Sequence, residues 1–170
     1  VTHGIIQTHS GALVSPFNPD PATLHLTDIA HALSHICRFT GHTRAFYSVA
    51  EHSVRVARLV PPEDRLAALL HDATEAYLCD IATPVKAMLP GYAAAEERLA
   101  LVIADKWGVT YPWPESVKRA DRIMLHSEAR ELMGDPEWAR GGEVVEMRMV
   151  GWEPWYARMT WLDMVEEYLR

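Results

Sequence analysis

The chain has 170 residues, 49% of them apolar and 23% charged, with a formal net charge of −7. That length and balance suit one globular domain with its own core, taken as residues 1–170, and exclude a disordered or fibrous chain. The acidic surplus argues against tracking along nucleic acid, whose binders carry basic surfaces, and no apolar run approaches the ~18 residues that a membrane span needs.

In chain order, residues 1–26 are rich in Ser, Thr, Pro and His. Ser15-Pro16-Phe17-Asn18-Pro19-Asp20-Pro21 cannot lie inside a helix, because Pro lacks the N–H and restricts its predecessor. This stretch reads as an irregular arm with a short hairpin at Ser10-Gly11. Thr27 is expected to cap a first helix carrying Ile29, Ala30, Leu33, Ile36 and Cys37 and ending near Arg38–Gly41. Ser48 opens a second helix, which Pro61-Pro62 stops. Glu63-Asp64 suit the start of a third, where acids meet the positive end of the helix dipole. That helix runs through Leu66, Leu69, Leu70 and Tyr77 to about Leu78, is apolar nearly all round, and is expected to be central.

Beyond it, Pro84 begins a short helix reaching Met88, broken by Pro90-Gly91. Residues 92–107 form an amphipathic helix with Leu99, Val102, Ile103 and Trp107 inward. After Pro112 and Pro114, residues 115–133 are helical and close before Gly134-Asp135-Pro136. Val144–Val150 fits a short strand or a loop, and residues 154–169 a last helix. The expectation is an all-α bundle of six to seven helices. Trp107, Trp113, Trp138, Trp152, Trp155 and Trp161 are expected to pack core or subunit surfaces.

Only Cys37 and Cys79 are present. That is too few for a secreted disulfide scaffold, so a cytoplasmic setting is expected, and the opening residues do not resemble a signal peptide. Histidine is abundant, with nine residues, most of which pack or face solvent.

The chemistry starts from His71-Asp72 inside the apolar third helix. A buried His and an ionised Asp are costly unless something pairs them, and a divalent cation does so. His52 on the second helix and Asp121 on the helix after Pro114 complete a His, His, Asp, Asp set from three helices. Mixed imidazole and carboxylate ligands favour Mn²⁺, Co²⁺, Zn²⁺ or Fe²⁺ over Ca²⁺, with Mg²⁺ also admitted. Four ligands on an octahedral ion leave room for a water and a phosphoryl oxygen, so the ion can acidify the one and polarise the other.

His52, His71-Asp72 and Asp121 resemble the H…HD…D pattern of the HD superfamily of metal-dependent phosphohydrolases. The stretch His71-Asp72-Ala73-Thr74-Glu75-Ala76-Tyr77-Leu78-Cys79-Asp80-Ile81-Ala82-Thr83-Pro84-Val85-Lys86 is similar to the HD-A-[ST]-E-x-x-x-G-D-x-x-[TS]-P-x-K segment of its 5′-deoxynucleotidase branch. Arg38-Phe39-Thr40-Gly41-His42 and Phe46-Tyr47-Ser48-Val49-Ala50 resemble small bacterial and phage hydrolases of that superfamily. The likeness covers residues 27–133, leaving the arm 1–26 and an extension 134–170 outside it.

The resemblance implies an HD-type bundle in which His52, His71, Asp72 and Asp121 bind the metal. Glu75, one turn after Asp72, would orient the attacking water or pass a proton. Asp80 would contact the sugar hydroxyl. Arg38, Lys86 and Thr83 would face the phosphate, and Phe39 stands where nucleotidase relatives often carry Trp. His42 would be a phosphate-side or structural residue. Cys79 replaces the family's Gly.

The implied reaction is hydrolysis of a nucleoside 5′-monophosphate to nucleoside and phosphate. The same site would serve a (deoxy)nucleoside triphosphate hydrolase, and a sensor that binds nucleotide without turnover is the reading from another class. Ala76 stands where relatives that hydrolyse the bacterial alarmone carry an acid. A second metal would need His42 or His126. Relatives are often dimers, so a homo-oligomer is expected.

Overall fold

The computed structural model describes residues 4–135, 137 and 140–169. Positions 1–3, 136, 138, 139 and 170, which include His3, Pro136 and Trp138, lie outside the described residues.

The arm does form a hairpin, with β1 (Ile6–Gln7) antiparallel to β2 (Leu13–Val14). Asp28 in the first helix anchors it. Its carboxylate accepts from Thr8 Oγ1, Ser10 Oγ and Ser10 N, each at 2.7 Å. Val14 and Leu24 are fully buried, so the arm contributes to the core.

The bundle is all-α. It comprises α1 (Leu26–His35), α2 (Val49–Leu59), α3 (Arg65–Leu70), α4 (Glu75–Leu78), α5 (Thr83–Lys86), α6 (Tyr92–Trp107), α7 (Glu115–Leu132) and α8 (Pro154–Tyr168). The first helix ends earlier than expected. It starts behind His25 rather than Thr27 and stops at His35, because the chain turns extended at Ile36 to let Cys37 bridge Ser48 and Arg38 N bond Tyr47 O. Ser48 caps α2 as expected, its hydroxyl accepting from Glu51 N at 3.1 Å. Every residue from Val49 to Ala57 is buried, so α2 is the central helix, with α3 beside it.

The third helix is interrupted, a correction with a local cause. His71 Nδ1 lies 2.6 Å from the carbonyl of Ala68, the acceptor that a regular helix offers to the Asp72 N–H. The imidazole competes with the ladder, and the next bonds tighten to i→i−3: Ala73 to Leu70, Glu75 to Asp72, Ala76 to Ala73. His71–Thr74 is therefore a tight turn joining α3 to α4. Glu63 and Asp64 sit in the short 3₁₀ turn Pro62–Asp64 ahead of α3.

The helix at 92–107 matches its expected bounds. Gly91 precedes it, and Gly108, with φ +67°, closes it by bonding back to Ala104 and Asp105 as glycine readily does. Leu99 and Ile103 are buried and Val102 and Trp107 partly so.

The core does not stop at residue 133. α8 packs on α1, α2 and α3, burying Ala157, Trp161 and Val165. The Trp161 indole N–H donates to Leu69 O at 3.0 Å, which satisfies its one polar atom. Trp155, by contrast, is 67% exposed. Val144–Val150 forms no strand among the described residues. The segment before α8 is held to α2 by Trp152 N, which donates to Glu51 Oε2 at 2.7 Å. No helix among the described residues is long and apolar enough to cross a membrane.

Candidate metal centre

His52 comes from the buried middle of α2, His71 and Asp72 from the turn between α3 and α4, and Asp121 from the second turn of α7. Ligand atoms of His52, His71 and Asp72 lie within 4.8 Å of one another, a grouping that could hold a metal ion. Asp121 joins through the imidazoles. Its Oδ1 is 3.2 Å from His52 Nε2 and 3.9 Å from His71 Nε2. Asp72 Oδ2 is 3.5 Å and 3.3 Å from the same two nitrogens. Donors sharing a cation at about 2.1 Å stand roughly 3.0–3.4 Å apart, so the spacing fits a common ion.

The tautomers fit as well. His52 Nδ1 lies 2.6 Å from Glu128 Oε1, and His71 Nδ1 lies 2.6 Å from Ala68 O. An ionised carboxylate and a carbonyl only accept, so each Nδ1 carries hydrogen and each neutral ring offers its Nε2 lone pair. Both Nε2 atoms are buried and lack a hydrogen-bond partner among the described residues. Two buried Nε2 atoms converging between two carboxylates offer a divalent cation its donors once both rings are neutral.

Glu128 is the residue that sequence reasoning missed. Fully buried on α7, it also accepts from Tyr47 Oη at 2.9 Å and from Arg38 Nε at 3.1 Å. Burial opposes its charge, but Arg38 and His52 more than offset this and hold the carboxyl below its ordinary range. A signal existed in the sequence. Glu128 follows Asp121 by seven residues and so shares its helix face, with Ala120 and Met124 buried alongside.

Electrostatics around the centre follow from burial and crowding. Burial pulls the His71 imidazolium down, yet Asp72 and Asp121 outweigh it and raise the group to about 9. Burial, with Asp72 and Asp80 close by, pushes the Glu75 carboxyl well above its usual range, against the pull of Arg38 and Lys86. Burial likewise raises Asp80, against the pull of Arg38.

Of the other expected site residues, Arg38 is buried with Nη1 3.6 Å from Asp72 Oδ2. Its guanidinium carbon lies 5.5 Å from the Phe39 ring centroid. Lys86 Nζ is 3.7 Å from Glu75 Oε1 but bonds Glu96 Oε1 at 2.7 Å, so it is engaged by two carboxylates. Thr83 opens α5, and His42 follows the 3₁₀ turn Phe39–Gly41. Both are exposed, with no side-chain bond to the cluster among the described residues.

His71, Asp72 and Asp121 open into a cleft of about 280 Å³, shared with Thr74, Glu96, Glu97, Tyr111 and Trp113. Tyr111 and Trp113 come from the loop between α6 and α7, and no spacing in the sequence singled them out.

No family model matches the chain. It is similar to YfdR, an uncharacterized protein of Escherichia coli K12, with 50% identity over 107 residues that cover 63% of this chain and 60% of YfdR. The match thus spans less than two thirds of that relative's length. It is also similar to RCAP_rcc00048, an uncharacterized protein of Rhodobacter capsulatus, with 37% identity over 142 residues covering 75% of this chain and 72% of the relative. At that identity and coverage, the chain belongs to the protein family of RCAP_rcc00048.

Proposed function

We propose that this protein is a metal-dependent phosphohydrolase of the HD superfamily, acting on nucleoside 5′-monophosphates. The observation that carries the reading is the pair of buried Nε2 atoms of His52 and His71, without a hydrogen-bond partner among the described residues and facing Asp72 and Asp121, with Glu75 three residues after Asp72. His52, His71, Asp72 and Asp121 would hold the cation, with Mn²⁺, Co²⁺, Zn²⁺ or Fe²⁺ suiting the donor set and Mg²⁺ the weaker match. A bound cation supplies Lewis acidity toward a phosphoryl oxygen and lowers the pKa of water.

The protein's own groups do the rest. Arg38, fixed by Glu128 through Nε and beside Asp72 through Nη1, would present its guanidinium edge to a phosphoryl oxygen. Water adds to phosphorus and the P–O5′ bond breaks. Glu75 gives its proton to the leaving oxygen and recovers one from the attacking water. Asp80 and Phe39 would border the sugar. The cleft, at about 280 Å³, is close to the small end of ligand-pocket volumes, about 300–1,000 Å³.

The test is phosphate and nucleoside release from mono-, di- and triphosphates of the common ribo- and deoxynucleosides. Each is run with the five cations and with chelator, beside Asp72→Ala. Release from monophosphates that chelator and the variant abolish supports the reading. Release from triphosphates alone moves the protein to that class. Nucleotide binding with no turnover under any cation overturns the enzyme and leaves a sensor.

A further inference from the structure

The cleft beside the candidate metal centre is also lined by an aromatic corner. The rings of Tyr111 and Trp113 are 5.1 Å apart at 89°, an edge-to-face pair. They line the same cavity as His71, Asp72 and Asp121. The floor is one face of α6, where Ala93, Glu96, Glu97 and Ala100 recur at helical spacing. The two alanines leave room for a flat group, and the two acids supply acceptors. Glu96 is occupied by Lys86. Glu97 is exposed and makes no hydrogen bond or ion pair among the described residues, so its carboxylate is available. Burial and the nearness of Glu97 and Glu96 keep the Tyr111 phenol protonated, hence a donor.

We infer that Tyr111, Trp113 and Glu97 form a nucleobase subsite that selects bases carrying an exocyclic amino group. This rests on the nucleotidase reading for its reaction, but not for its binding. An aromatic face stacks any base, whereas a carboxylate discriminates. Guanine offers two adjacent N–H donors to it, and adenine and cytosine offer an amino group. Thymine and uracil flank their single N–H with two carbonyl oxygens, which a carboxylate repels. The candidate metal ligands and the aromatic corner line one cleft, so the phosphate and the base would each find partners in it.

The test combines turnover and binding. Wild type, Trp113→Ala, Glu97→Gln and Ala93→Leu are assayed with dGMP, dAMP, dCMP, dTMP and 2-deoxyribose 5-phosphate, which has the phosphate and sugar but no base. Calorimetric titration of the Mn²⁺-incubated proteins with deoxyguanosine and thymidine reads base binding without hydrolysis. Ala93 is exposed, so its replacement fills the cleft without touching the core.

Trp113→Ala and Ala93→Leu are expected to raise KM for the nucleotides about tenfold more than for the baseless phosphate. Both should weaken deoxyguanosine binding to match. Glu97→Gln is expected to shrink the preference for dGMP over dTMP several-fold. If all variants shift nucleotides and baseless phosphate alike, or wild type binds neither nucleoside, the subsite is overturned while phosphate release still stands for the reaction. If nucleosides bind and the variants weaken them, yet no phosphoester is cleaved, the subsite holds and the hydrolase reading falls.

Discussion

Glu128 Oε1 lies 2.6 Å from His52 Nδ1, a fully buried carboxylate bonded to a fully buried imidazole across 76 residues of sequence. The bond fixes which His52 nitrogen carries hydrogen and aims the other at Asp72 and Asp121. Carboxylates in this position raise the basicity of a ligating histidine, and losing them typically costs 10–100-fold in metal affinity. Glu128→Gln should therefore weaken metal binding by about that factor, read by competition against a chelator of known affinity. Glu128→Ala also removes the closer of the two carboxylates beside buried Arg38 and the acceptor of Tyr47, and should destabilise the fold by about 3 kcal/mol. Unchanged metal affinity in the Gln variant would remove Glu128 from the site.

Metal uptake should release protons in a pH-dependent way. In the metal-free protein His71 is raised to about 9 by Asp72 and Asp121, against the effect of burial. A ligating imidazole must be neutral, so at pH 7 the cation has to displace that proton. Near-complete release from His71 is expected at pH 7, vanishing above about pH 9. The linked stability has the same origin. A histidine raised from 6.5 favours the folded state fully below pH 6.5, and that contribution is lost as pH rises through about 9. Calorimetry in buffers of different ionisation enthalpy measures the protons. Little release at pH 7 would mean that His71 is already neutral there.

Much of this was legible, and the gaps have physical reasons. The helix Tyr92–Trp107 was readable because glycines bracket it and its apolar face is regular. His71-Asp72 stood out because an apolar stretch could not otherwise hold it, and the fold brings it beside His52 in a grouping that could hold a metal ion. The break at His71–Thr74 was not, since no Gly or Pro marks it. It arises from a side chain taking a backbone acceptor, which helix propensity does not register. Glu128 lies 90 residues from Arg38 and 81 from Tyr47, and only the packing of α7 against the segment ahead of α2 brings it to them. The arm was legible as irregular from its prolines, but its anchor was not, because Asp28 meets Thr8 and Ser10 only in the folded chain.

Cys79 is the expected departure from glycine, and its backbone keeps the glycine conformation. With φ +67° and ψ 157°, it occupies a region nearly reserved for glycine. Holding a side chain there costs about 1–3 kcal/mol, of which glycine's extra unfolded-state freedom cancels roughly 0.5–1 kcal/mol. Cys79→Gly should stabilise the protein by about 1 kcal/mol, or roughly 2–4 °C in thermal midpoint. Cys79→Ala keeps the strain and should gain nothing. Equal midpoints for the two variants would show that the turn before Asp80 is unstrained.

A second histidine cluster should set the acid limit of the arm. His9 of the hairpin stacks on His31 of α1 with centroids 3.7 Å apart, and His31 stacks on His35 at 4.3 Å. Burial, with His35, His9 and Arg158 around it, lowers the His31 pKa below 6.5, and Asp28 only partly opposes this. The unfolded chain then binds the proton more readily than the folded one, so stability rises with pH. The contribution is complete above pH 6.5 and is lost as pH falls through the depressed folded value. The loss should concentrate where His9 meets α1, loosening the hairpin before the bundle. His31→Phe keeps a ring in the stack without a titrating nitrogen and should flatten the stability profile between pH 5 and about 6.5. Hydrogen exchange at Ile6–Val14 and thermal unfolding across that range read both effects. A variant as acid-sensitive as wild type would assign the loss to other groups.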